Sequence, residues 1–262
     1  MSDLALPVPV RRPSGPARAA VMAARCLRLS RRNVESLLTS VLLPILLMLI
    51  FVYLFGGAIQ TGTAYVTYVV PGVILLCAGF GSAQTAVNVS LDMAGGTVDR
   101  FRSLNIGGTS VLIGHVVASV ARNVVSTVVV FGVAFLIGFR PHAGPAAWLA
   151  AAAILLLFVA AISALSAAIG LLARTPDAAN GFVFLVMFLP YASSAFVPVA
   201  TMPSWLHGFA GNQPVTPVIE SLRGLLLGHP VGADPWRAVA WCAAILVGSA
   251  AASALLFRRR TG

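Results

Sequence analysis

Long apolar stretches broken by short polar ones dominate this chain. From Ser36 to Leu91 there is no Asp, Glu, Lys or Arg, and apolar runs return after Gly108. A helix crossing the hydrocarbon of a bilayer needs about 20 apolar residues. That length criterion places six spans, near Leu37–Phe55, Tyr65–Val87, Val117–Gly138, Ala146–Ala173, Gly181–Val199 and Ala238–Phe257. The fold class expected is therefore all-α integral membrane, with a six-helix domain over residues 37–257, a disordered tail over 1–16 and a short tail over 258–262. Residues 17–36 read as an amphipathic interfacial helix: Arg18, Arg25, Arg28 and Arg32 cluster on one face, and Met22, Cys26 and Leu29 share another. Its use as an elbow that transmits motion and its use as a passive anchor stand open alike. The fourth span is rich in Ala, Gly and Ser, which lets helix backbones approach closely in lipid, within one chain or between chains.

Composition strengthens the membrane reading. The 262 residues are 59% hydrophobic and 9% charged, whereas soluble domains are roughly 25% charged. All 17 basic residues are Arg, as a GC-rich bacterial genome favours. Without Lys the chain has neither a P-loop nor a Schiff-base amine. The formal charge of +10 does not point to nucleic acid, because the Arg residues flank the spans. Counted by side, thirteen Arg lie with the two termini and three (Arg140, Arg223 and Arg237) on the other side. The positive-inside rule then puts both termini in the cytoplasm of a plasma membrane, beside anionic lipid. Cys26, Cys77 and Cys242 are isolated, so neither a disulfide framework nor a metal site is indicated.

Chemistry inside the spans is sparse. Ser82 in "GFGSA" is an isolated hydroxyl, with His115, His142, His207 and His229 all outside its helix, which argues against an intramembrane serine protease. None of the seven acids lies deep in a span, which argues against a proton-coupled carrier. Arg122 is the one charge inside a span, about one turn from the cytoplasmic face. It is placed either to snorkel to the headgroups or to serve substrate passage or coupling.

Between the second and third spans, "LDMAGGTVDRFRSLNIGGTS" (91–110) is unusually polar. Thr97 is placed to cap a helix of about two turns, with Asp99 favouring its positive end. Val98, Phe101 and Leu104 form an apolar stripe away from Arg100 and Arg102. By itself the stretch reads equally as a tight connecting loop.

A further set of short motifs points to a family. "GGTVDRFRSL", then "GFRP" (138–141), "SSAFVP", "MPSWL" and "NQPVTPVIESLRGLLLG" follow in order from about residue 96. With six spans of compatible length from about residue 30, the chain resembles permeases of the ATP-binding-cassette type-2 family, the daunorubicin-resistance type above all. The resemblance implies the membrane half of an exporter for an amphiphilic drug, antibiotic or lipid. It implies two copies of a separate ATPase subunit, which hold the ATP and Mg, and a second permease, identical or related. This chain would bind no cofactor of its own and catalyse no reaction. The polar stretch becomes a coupling helix, its signature falling on Gly96, Asp99, Arg100, Phe101, Arg102 and Leu104. "SWLHGFAGN" and "PVTPVIESLRGLLLG" become short re-entrant helices outside, before the last span, with Trp205, Pro214, Glu220 and Arg223 as gate candidates. Glu220 and Arg223, at i and i+3, are spaced to pair, as a solvated surface pair or as part of a gate. The chain departs from the family at Asn105 (usually Pro), at the glycines soon after, where a basic residue is usual, and at Ser119, where an acid is common. Export of glycans or lipid-linked polymers, and a non-transporting membrane scaffold, are the alternatives.

Overall fold

The computed structural model describes residues 15–32, 34–59, 62–96 and 108–261. Their regular structure is helical: α1 (Gly15–Arg32), α2 (Val34–Ile50, running on as a π-turn Phe51–Phe55), α3 (Tyr65–Ala94), α4 (Gly108–Leu136), α5 (Pro145–Leu172), α6 (Pro176–Met187), α7 (Ser204–Asn212), α8 (Val215–Leu227) and α9 (Asp234–Thr261). Residues 1–14 of the expected tail and all of the coupling signature except Gly96 lie outside the described residues, while Gly15 and Pro16, expected in that tail, open α1.

Among the described residues, four helices are long and apolar enough to cross a bilayer: α3, α4, α5 and α9 as far as Leu256. A shorter apolar helix covers Ser40–Phe55. The fifth expected span differs most from its forecast. Gly181–Val199 is helical only to Met187, and residues 188–197 form successive turns. Pro190 explains the break, since a proline has no N–H to donate and its ring disfavours a regular helix through it. The Ser193 hydroxyl then takes up the freed Pro190 carbonyl at 2.5 Å. The third expected span differs in the other direction. Helix α4 begins at Gly108, nine residues before Val117, because polar His115 and its neighbours turn inward to partners.

Helix α3 is the central rod. Val69 through Ala78 are all buried, and their side chains form the main core with Ile154, Phe158 and Ile162 of α5 and Val218, Ile219 and Leu222 of α8. Close approach is made possible by small residues. A Cβ on Gly170 of α5 would come within 2.9 Å of the Val89 side chain on α3, and one on Gly72 of α3 would meet Ala195 at 2.7 Å. Part of the small-residue character of the fourth span therefore serves packing within the chain. Outward-facing Val124, Val125, Val128 and Leu136 on α4 stay exposed, as suits a surface solvated by lipid.

The amphipathic helix α1 is more firmly seated than its pattern suggests. Met22 and Cys26 are buried while Leu29 is exposed, and α1 packs along the first half of α4. A Cβ on Gly114 of α4 would lie 2.9 Å from the Met22 backbone, so glycine is what admits α1 there. All three cysteines are free and buried.

Candidate functional site

Polar side chains gather at the two ends of α3, about 36 Å apart for the 24 residues from Tyr68 to Asp92. At the far end, α3 finishes with Gly95 and then Gly96, whose φ of +65° lies in the left-handed region that glycine tolerates best. The Gly95 N–H donates to the Leu91 carbonyl at 2.9 Å and closes the last turn. One turn earlier, Asp92 joins three helices. Its Oδ2 accepts from Arg25 Nη1 of α1 at 3.1 Å and lies 3.0 Å from His115 Nε2 of α4. Burial works against the Arg25 charge, but the hydrogen bond and field of Asp92 outweigh it and hold the guanidinium above its ordinary range.

Arg122 sits two turns deeper along α4. It is 7% exposed, which corrects the expectation that it snorkels to the headgroups. Helix α1 covers it instead. Its Nη1 donates to Ser30 Oγ at 3.0 Å, and its Nη2 to the Gly81 carbonyl at 3.3 Å and Thr85 Oγ1 at 3.4 Å. Beyond it lies a small buried network. Ser163 donates to Ser119 at 2.8 Å, the Ser82 and Ser163 hydroxyls are 3.1 Å apart, and Asn123 Nδ2 donates to the Ser119 carbonyl at 3.0 Å. The hydroxyl of Ser82 is thus occupied in helix packing, where such bonds average about 0.6 kcal/mol. The Ser119 hydroxyl thus serves this network, accepting from Ser163 and Asn123.

The near end of α3 is held by Arg223 of α8. Its Nη1 donates to Glu220 Oε1 at 2.6 Å, and its Nη2 to the carbonyls of Ser194 at 2.9 Å and Tyr68 at 3.1 Å. The guanidinium also lies 3.7 Å from the Tyr68 ring centroid, a cation–π contact. Arg223 is 8% exposed, so the pair is not the solvated surface pair that spacing alone allowed. Tyr65 and Tyr68 donate their hydroxyls to the Phe196 and Ser194 carbonyls, and Gln213 donates to the Leu189 and Ala192 carbonyls. The irregular segment 188–197, broken open by Pro190, therefore has its backbone acceptors met by side chains.

The sequence-derived gate residues divide accordingly. Glu220 and Arg223 are brought together. Pro214 lies at the start of α8 and lines an apolar cavity of about 120 Å³ with Leu75, Phe158 and Met187. Trp205 on α7 stands 79% exposed and apart from that cluster. Asp92, Tyr68, Ser194 and Gln213 were not singled out as site residues from sequence. The sequence hints at Asp92 by its place at the end of an uncharged run, and at Ser194 and Gln213 as members of "SSAFVP" and "NQPVTPVIESLRGLLLG".

Comparison with known proteins gives this geometry a context. The model of the ABC-2 type transporter family matches residues 18–227. A daunorubicin resistance ABC transporter permease protein, DrrB1 of Streptomyces coeruleorubidus, is 30% identical over 221 residues, covering 81% of this chain and 78% of that protein. A probable doxorubicin resistance ABC transporter permease protein, DrrC of Mycobacterium tuberculosis, is 26% identical over 230 residues, 87% of this chain and 83% of its own. The doxorubicin resistance permease DrrB of the same species is 27% identical over 199 residues, 72% and 68% of the two chains. The match begins in α1 and runs through α8, so it takes in both ends of α3, and the chain belongs to the ABC-2 type transporter family as a multi-pass membrane permease.

Proposed function

We propose that this chain is the transmembrane subunit of an ATP-driven exporter that moves an amphiphilic drug, antibiotic or lipid out of the cytoplasm or the inner leaflet. The likeness to resistance permeases over 81% of the chain carries the reading. The lysine-free sequence agrees with it, since the nucleotide must then be hydrolysed by a separate subunit. Two ATPase copies and a second permease, identical or related, complete the assembly. ATP and Mg belong to the ATPase.

The architecture suggests how work passes through the chain. Six crossings are completed by α2 with its π-turn and by α6 with the turns after it, and both termini face the cytoplasm. The handle over residues 96–104 then sits on the cytoplasmic side, directly after α3, and docks on the ATPase through Phe101 and its neighbouring Arg residues. Displacing the handle moves α3 and α4. At the other end of α3, Tyr68 is bound to Arg223 and Ser194, so the displacement reaches α8 and segment 188–197. Helices α7 and α8 act as the exit-side gate, with exposed Trp205 and Phe209 at the interface where aromatic rings settle. A path lined by apolar side chains suits an amphiphile better than an ion, whose dehydration in such surroundings is costly.

The test uses membrane vesicles containing this chain and its ATPase, with daunorubicin as probe. Arg100→Glu and Phe101→Asp each leave insertion intact, abolish drug stimulation of ATP hydrolysis, and reduce uptake into inverted vesicles to background. Normal export by both variants would overturn the coupling assignment.

A further inference from the structure

Helices α1, α3 and α4 enclose a cavity of about 270 Å³, lined among others by Ser30, Thr85, Asn88, Asp92, His115 and Arg122. That volume falls just below the roughly 300–1,000 Å³ of pockets for drug-sized ligands. Its charges do not balance. Asp92 is the carboxylate in the lining, and it is already engaged by Arg25 and His115. Arg122 meets only neutral acceptors, has no carboxylate partner among the described residues, and leaves its Nε–H without any acceptor. A guanidinium has five donors in a fixed fork that matches an oxyanion. A charge buried without a counter-charge is costly, and a polar cavity beside it offers room for that counter-charge to come from a ligand.

The rim indicates what the oxyanion is attached to. Leu29 and Leu91 flank the cavity and are 52% and 51% exposed, giving an apolar surface next to a cationic interior. The wall is formed by α1, whose amphipathic pattern is that of a helix lying at the headgroup level. We propose that this cavity binds a phosphate oxyanion, carried by a glycerophospholipid headgroup or free in solution, with Arg122 as the cationic anchor and Ser30, Thr85 and Asn88 around it. The site owes nothing to the exporter reading and stands or fails independently of transport.

The full-length chain, purified in neutral detergent, is titrated with phosphatidylglycerol, with diacylglycerol of the same acyl chains, and with inorganic phosphate, reading bound lipid and thermal unfolding. The wild-type chain prefers phosphatidylglycerol over diacylglycerol by at least about tenfold. Arg122→Gln loses that preference, Arg122→Lys keeps part of it, and Arg237→Gln, at an exposed position, keeps all of it. Asn88→Trp fills the cavity while leaving the arginine in place, and it also loses the preference. It therefore decides the matter should Arg122→Gln fail to fold. Competition by millimolar inorganic phosphate identifies the free anion as a second source, and absence of competition assigns the site to lipid. Wild-type preference in a folded Arg122→Gln, or in Asn88→Trp where the former does not fold, overturns the proposal. So does equal binding of phosphatidylglycerol and diacylglycerol by the wild-type chain.

Discussion

Arg122 and Arg223 are buried to nearly the same extent, at 7% and 8% exposure, yet they are solved differently. Each leaves its Nε–H unpartnered, so hydrogen-bond number does not separate them. Charge does. Arg223 has a carboxylate at 2.6 Å, two carbonyls and a tyrosine face, and it ties α8 to α3 and to an irregular segment. Arg122 has two hydroxyls and one carbonyl and a cavity beside it. A buried charge that is matched by its own chain acts as a fastener. One that is not matched acts as a receptor, or as a weakness.

The largest effect that would break this comparison is expected at the fastener. Arg223→Leu removes the partner of a partly buried carboxylate and the hydrogen bonds from Arg223 to the Tyr68 and Ser194 carbonyls, at a cost of about 3 kcal/mol. Chemical unfolding in detergent micelles measures it, and a loss below about 1 kcal/mol would mean that Glu220 reaches solvent unaided. Next comes Gly114→Val, which crowds the Met22 backbone and costs about 2 kcal/mol by overpacking. Proteolysis should show α1 detaching from α4 while the Arg223 end keeps its protection. The smallest change belongs to the unmatched arginine. Arg122→Met, in the absence of added lipid, stays within about 1 kcal/mol of wild type, because the lost bonds are offset by relief of an uncompensated buried charge. A penalty as large as that of Arg223→Leu would show that the two sites are alike after all.

How far the sequence foretold this depends on where each partner lies along the chain. Span signals and the i, i+3 relation of Glu220 and Arg223 are local, and the structure places α3, α5, α7 and α8 close to where pattern and motif put them. Tyr65, the expected start of the second span, is the first residue of α3. The burial of Arg122 was hidden, because Ser30 is 92 residues from it in sequence and Gly81 is 41. Depth counted along one helix pointed to snorkelling, and took no account of a second helix lying over the site. The union of Arg25 with Asp92 across 67 residues was hidden for the same reason. The contact of His115 with Asp92 across 23 residues explains in turn why α4 starts early, since a residue that looks like loop when read alone is satisfied across the interface. The end of the helix at Met187, inside the fifth expected span, follows from a local feature, Pro190, set within an otherwise apolar run.

The seclusion of all three thiols has a practical corollary. Burial also pushes the Cys26 thiol above its usual range, leaving little reactive thiolate, so the native polypeptide should be silent toward membrane-impermeant maleimides. Ser103→Cys, in the handle, then becomes a clean reporter of sidedness in an otherwise wild-type background. Labelling from the cytoplasmic face of inverted vesicles, and not from intact cells, would fix which way the permease points.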